Sequence, residues 1–429
     1  MTDTAPTTPP KGAGAAFAYV TTLFFAWGFA TSLIDPLVAA VKRVFDLSYT
    51  EAFLTGSAWF IAYGVASLPA AAILSRLGYS KAILGALAVM VLGCLIVPVA
   101  TAMDLYPGVL LALFIIACGV TLLQVAANPL VAVLGAARRT HFRLNLSQAF
   151  NSLGTAIGPW LGSHVLLTGG VFAAGAAVTE ATRGQSLRSI DVAFLALGGF
   201  FVLVALFIFS ARKRIDAAAP AAAPAGESSP FKALGSRWAI AGAAAIFLYV
   251  GSEVAIGTMM TNFLNSPEIL NRPLEEAGKM VSFYWLGAMV GRFVGAVVLR
   301  YVRAGYVLAF CTVVAAALCL LVTQTQGVPA AYAALSIGLF NSVMFPTIFT
   351  LTLERSSAPT SATSGLLIFG IIGGALLPPL AGHIADLSGR VSPGFVVPLI
   401  GYVGLTLFAI ACLRSKARGG EDAAAVSGH

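Results

Sequence analysis

The sequence predicts an all-α polytopic membrane protein with twelve transmembrane helices in two pseudo-symmetric six-helix bundles. Three observations predict it. The first is composition: of 429 residues, 59% are apolar and only 10% charged, with a mean hydropathy of +0.91. A soluble domain carries roughly 25% charged residues, so this chain cannot cover a water-exposed surface. The second is a series of long apolar runs. Spanning the hydrocarbon takes about 20 apolar residues, and twelve runs qualify: 16–40, 51–74, 82–101, 107–131, 143–168, 191–211, 237–264, 279–299, 305–325, 329–353, 362–385 and 394–413. They are continuous rather than alternating and too long for barrel strands. The third is repetition. Asn128-Pro129 closes the fourth run and Gly158-Pro159-x-x-Gly162 sits in the fifth, while Phe345-Pro346 and Pro378-Pro379-x-x-Gly382 sit in the tenth and eleventh. The offsets, 217 from Pro129 to Pro346 and 220 from Pro159 to Pro379, match closely enough to suggest duplication. Two repeated bundles are the architecture of an alternating-access transporter.

Charge orients the spans. Twelve crossings put both termini on one side. Seventeen of the 25 Lys and Arg residues fall in the termini and loops of that side, and seven on the other. The excess places both termini in the cytoplasm, so the net charge of +8 is a topology signal and not a nucleic-acid footprint. Between the sixth and seventh runs lies RKRIDAAAPAAAPAGESSPFKALGSR, rich in Ala and Pro with charged ends, which suits a cytoplasmic linker. The expected organisation is an N-tail (1–15), an N-terminal bundle (16–211), a linker (212–236), a C-terminal bundle (237–413) and a C-tail (414–429). The N-tail MTDTAPTTPPKGAG reads as a polar tail, not a cleavable signal. All five cysteines lie in apolar stretches without metal spacing, so they read as packing residues.

Ionisable groups inside the runs are few. Asp35, in FFAWGFATSLIDPLVAAV, has no basic residue within six positions, and Pro36 after it removes a backbone donor. Burial disfavours an ionised carboxyl. A carboxyl that is neutral when occluded and ionised when wetted is a proton carrier; the plainer alternative is an ion pair with Lys42 or Arg43. Glu253, in FLYVGSEVAIGTMMTNF, is equally isolated, and could carry a proton, bind hydroxyls or pair with Arg292. Arg292 itself lies where its long stem can snorkel, which favours a structural role.

The densest polar stretch runs from Gln124 through Gly162. Asn145, Gln148, Ser152 and Thr155 are spaced +3, +4 and +3, on one helix face. Gln124, Asn128 and Asn151 add further amides. Amides and hydroxyls donate and accept, as a polyhydroxylated substrate requires. Trp27, Trp59, Tyr63, Phe150, Tyr284 and Trp285 could stack on a sugar's C–H face. The alternative is that these amides bind neighbouring helices. Arg76 and Arg143 border loops, where they would serve as gate residues.

LSRLGYSKA after the second run resembles the loop motif of the major facilitator superfamily, with Arg76 and Gly78 in place and Ser75 where that motif has Asp. FFAWGFATSLID, AANPLVAVLG, HFRLNLSQAFNSLG, YVGSEVAIG, NSVMFPTIFTL and IIGGALLPPLAGHIAD resemble the fucose–galactose–glucose:proton symporter branch, over both halves and most of the chain. The resemblance implies the major facilitator fold, a bacterial inner-membrane location, and proton-coupled uptake of a sugar. It implies that Asp35 is the acid involved in proton coupling and that Gln148 and Asn151 lie near the sugar; glucose/galactose-type members also carry a Glu that matches Glu253. From the residues themselves, Glu253 is expected to share the proton coupling, Gln124, Asn128, Asn145, Trp27, Tyr284 and Asn341 to join the sugar site, and Arg76, Gly78 and Arg143 to serve as gates. Fucose transporters of the branch carry a Glu where this chain has Gln124, and the branch has Asn where this chain has Ile34. A hexose such as glucose or galactose, or N-acetylglucosamine, is therefore favoured over fucose.

No cofactor or metal is expected beyond the coupling proton. The expected partners are a sugar and the lipid bilayer, without nucleic acid, and the expected state is a monomer. A proton-driven exporter on the same fold stands as the rival, with a more apolar cavity. A membrane enzyme acting on lipid-linked sugars would need DxD, HExxH or HxxxxD-like constellations, which no loop shows.

Overall fold

A computed structural model describes residues 13–32, 44–45, 49–166, 179–219 and 229–417. Asp35, Lys42 and Arg43 lie outside the described residues, so the carboxyl expected to couple the proton has no structural account. The helices are α1 (Ala13–Ser32), α2 (Tyr49–Leu77), α3 (Tyr79–Ala102), α4 (Tyr106–Val133), α5 (Thr140–Leu166), α6 (Glu180–Ala218), α7 (Arg237–Asn265), α8 (Leu274–Val298), α9 (Ala304–Gln324), α10 (Gly327–Asn341), α11 (Met344–Leu353), α12 (Thr360–Phe369), α13 (Gly373–Ser388) and α14 (Val396–Arg414). No strand occurs among the described residues. Among the described residues, eleven segments are long and apolar enough to cross a membrane, α10–α11 and α12–α13 each counting as one. A twelfth long helix, α5, carries the polar stripe. The fold class is therefore the all-helical, multi-span one that the composition predicts.

The chain divides into two compact units, residues 1–134 with 150–228, and 135–149 with 229–429. Helix α5 straddles the division: its first turns, through Ala149, cluster with the second unit and the rest with the first.

In the first unit α3 packs on α4 and α6, and α4 on α2. Helix α1 meets α5 at Gly154, where an added Cβ would lie 2.4 Å from the Phe25 carbonyl oxygen. Only glycine lets the two backbones come that close. At 39 residues, α6 is about 58 Å long at 1.5 Å per residue, well beyond the ~30 Å hydrocarbon. Its overhangs are held at both ends. The Thr101 hydroxyl donates to Asp191 at 2.5 Å, and the Ser80 hydroxyl donates to Asp216 at 2.8 Å. Arg183 near its start pairs with Asp104 and donates to the Val44 carbonyl at 2.8 Å. Large apolar side chains such as Leu203, Leu206 and Phe207 are exposed on α6, as a lipid-facing surface requires.

In the second unit α7 is the hub, packed against α8, α11, α12, α13 and α14. Two of its spans are broken. One breaks between α10 and α11, at Ser342–Val343. Pro346 has no N–H, so the Ser342 carbonyl loses the partner four residues on that a continuous helix would supply. The other is interrupted by a 3₁₀ turn at Gly370–Ile372, between α12 and α13.

Candidate functional site

The first unit contributes neutral polar groups. On α4, Gln124 is buried and its amide donates to the Tyr63 hydroxyl on α2 at 2.8 Å. The Trp59 indole, one turn before Tyr63, hydrogen-bonds the same phenol. An indole N–H can only donate. Tyr63 therefore accepts from Gln124 and Trp59, which leaves its own O–H to donate elsewhere. Asn128, one turn beyond Gln124, is fully buried. Asn151, half-buried on α5, donates to the Phe24 carbonyl of α1 at 3.0 Å. Trp27 is buried with its ring 4.1 Å from that of Phe24.

The face predicted from the spacing of Asn145, Gln148, Ser152 and Thr155 is split by the structure. Asn145 and Gln148 belong to the turns that cluster with the second unit, Ser152 and Thr155 to the first. Asn145 is fully buried and its amide donates to the His141 carbonyl in its own helix at 2.9 Å. Gln148 is buried at 6% exposure. The Thr155 hydroxyl donates to the Asn151 carbonyl at 2.9 Å. Two members of the stripe thus bond back to the helix, as hydroxyls and amides in apolar helices commonly do.

The second unit contributes a charged cluster. Glu253, half-buried on α7, accepts from the Tyr249 hydroxyl one turn earlier at 2.7 Å. The Arg292 guanidinium of α8 acts on it electrostatically, and its carboxylate acts on Tyr284 in turn. Behind it lies a chain of hydrogen bonds. The Tyr402 hydroxyl of α14 donates to the Asn341 side-chain oxygen at 2.7 Å, and the Asn341 amide donates to the Tyr284 hydroxyl at 2.7 Å. All three side chains are fully buried. Tyr284 and Asn341, expected beside the sugar, are bonded to one another in the core. The sequence signal for Tyr249 was its place one turn from Glu253; for Tyr402, 61 residues from its partner, there was none.

Of the gate candidates, Arg76 is exposed in the last turn of α2. Gly78 follows with φ 75°, a conformation that favours glycine, and caps the start of α3. Arg143 is 6% exposed and folds back onto its own loop, donating to the Ala136 carbonyl at 2.7 Å and the Thr140 hydroxyl at 3.2 Å. Within the second unit, His141 at the start of α5 sits 2.5 Å from the Thr350 hydroxyl and 3.0 Å from Glu354. Arg355 pairs with Glu354 at 3.2 Å and is itself held by the Leu351 and Cys412 carbonyls. Burial pushes the Glu354 carboxyl up, but the His141 imidazole and the Arg355 guanidinium outweigh it and hold the group below the usual carboxylate range.

Comparison with known proteins matches these features to a family. The family model described as Major Facilitator Superfamily matches residues 19–369. A glucose/galactose transporter of Brucella abortus is 38% identical over 405 residues, covering 94% of this chain and 95% of that protein. An L-fucose-proton symporter of Escherichia coli is 29% identical, covering 92% of each. A crystal structure of the E. coli fucose:proton symporter FucP superposes with a TM-score of 0.81 at 26% identity, over 93% of this chain and 98% of that one. The chain belongs to the Major Facilitator Superfamily.

Proposed function

We propose that this protein takes up a sugar together with a proton across the bacterial inner membrane, by alternating access. One observation carries the reading: end-to-end similarity to proteins named as glucose/galactose transporters and as L-fucose-proton symporters. Glucose or galactose is preferred over fucose because the glucose/galactose relative is the more similar, 38% against 29%. N-acetylglucosamine belongs to the same substrate class. Uncharged donors and acceptors at Gln124, Tyr63 and Asn151, and the Glu253 carboxylate, suit hydroxyl groups.

Asp35 carries the proton. It is protonated on the outside, the sugar binds, and the halves change access. The sugar leaves and Asp35 releases its proton to the more alkaline cytoplasm. Only states holding both ligands or neither interconvert freely, and that difference in stability is the coupling. Glu253 is the second acidic group of the cycle. Both termini face the cytoplasm, and the chain works as a monomer.

The test is proton movement in weakly buffered vesicles on adding glucose, galactose, fucose, mannose or N-acetylglucosamine. External alkalinisation with one sugar establishes symport and substrate together. Silence across the panel from folded protein removes the sugar reading and leaves export of another metabolite. Asp35→Asn is expected to abolish pH-driven accumulation; full accumulation by that variant ends the carrier role of Asp35.

A further inference from the structure

The break between α10 and α11 lies at the end of the buried chain that backs Glu253. Asn341, the last residue of α10, is bonded to Tyr284 and Tyr402. Next to it, the Ser342 carbonyl has been deprived of its helix partner by Pro346. A buried carbonyl without a donor is costly, so such groups are almost always satisfied. Here the donor comes from another helix: Nε of Arg292 on α8 donates to the Ser342 carbonyl at 3.2 Å. The approach depends on packing beside it. An added Cβ at Gly291 would meet both the Leu339 carbonyl oxygen and the Ser342 hydroxyl, so only glycine brings this turn of α8 to the break. The same guanidinium is the charged group that acts on Glu253.

We propose that Arg292 is a positioning residue that couples occupancy of Glu253 to the helix break at Ser342–Val343. This rests on the reading that Glu253 takes part in the transport cycle. One guanidinium donates to the carbonyl and acts on the carboxylate through its charge. When a proton neutralises the carboxylate, its pull on the guanidinium ends, Arg292 is left to the carbonyl and the break is held in one geometry. When Glu253 is ionised, its charge competes for Arg292 and the break loosens. A ligand shifts a conformational equilibrium only through such differential contacts. The consequence reaches the far end of α11, because that helix carries Thr350 and leads into Glu354, the two groups that hold His141.

The test compares Arg292→Gln, Pro346→Ala and the double variant in the full chain. Equilibrium binding of labelled glucose and galactose is measured beside their turnover. Arg292→Gln is expected to bind sugar within about threefold of the parent while turnover falls about tenfold or more, the size of one lost buried hydrogen bond. Pro346→Ala returns a backbone N–H to the Ser342 carbonyl. The double variant should therefore regain most of the lost turnover, a rescue that no general loss of structure would show. Normal turnover in Arg292→Gln overturns the proposal. So does a double variant that stays as slow as Arg292→Gln, since the lost donor to the Ser342 carbonyl would then not be what slows transport. If Arg292→Gln does not fold, Arg292→Lys takes its place, with the same rescue required. Amide hydrogen exchange over 347–353 is followed in parallel, and is expected to speed up about tenfold in Arg292→Gln and to slow again in the double variant. If the parent moves no sugar at all, the transport reading falls, and the exchange data alone decide whether Arg292 holds the break.

Discussion

The two polar clusters are built on different physics. In the first unit, Gln124, Trp59 and Tyr63 form a neutral set with short donor paths, and Asn151 ties α5 to α1 through a backbone carbonyl. In the second unit, Glu253 and Arg292 bring charge into the helices, and three buried groups, Tyr402, Asn341 and Tyr284, stand behind them in a directed chain. A neutral hydrogen bond exchanged for one to water changes stability by only about 1 kcal/mol, so such a set can re-form around a ligand. A buried charge that loses its partner costs about 3–5 kcal/mol, so the charged set tolerates few arrangements. Under the proposed function, the neutral set would adapt to the sugar and the charged set would choose between conformations.

Substitutions can break that contrast or sharpen it. The largest effect is expected from Glu253→Gln. It removes the charge facing Arg292, and sugar uptake should fall at least about 100-fold in kcat/KM with the loss mainly in turnover. A change confined to KM would show that both clusters only bind. Next comes Gln124→Leu. Tyr63 keeps its bond from Trp59, so KM for the sugar should rise about three- to tenfold with turnover preserved. A collapse of turnover here would erase the distinction between the units.

The smallest effect is expected from Glu354→Gln, at the end of α11. The pair with His141 is partly exposed, and such pairs contribute about 0–1 kcal/mol. The sign with pH is fixed by the lowered carboxyl. Its stabilisation is complete above the ordinary carboxylate range and lost as pH falls through the lowered folded-state value. The gap in thermal stability between parent and variant should therefore close on acidification below about pH 4.

Much of the fold was legible because lipid imposes a strong rule. Every backbone polar group must be satisfied within the helix, so spans appear as long apolar runs. The run at 82–101 became α3 and that at 305–325 became α9 with little change at the ends. The run at 329–353 contains the break at Ser342–Val343, which Pro346 announces and apolar composition hides. The site was legible only as a set of residue types. Glu253 stood out because a carboxylate in an apolar run is rare. The predicted polar face of α5 came from periodicity, yet periodicity does not say which amides bond to their own helix. Asn145 and Thr155 do so, and Asn341 and Tyr284 found one another across 57 residues.

By itself the sequence determined that the chain is a multi-span helical membrane protein, because hydrophobic run length and scarcity of charge are local properties. Tertiary structure alone decided which buried polar groups satisfy each other. Tyr402 meets Asn341, and Arg292 meets the carbonyl that Pro346 leaves open. The reason is that a hydrogen bond in an apolar interior depends on geometry between helices distant in sequence, and no periodicity along one helix records it.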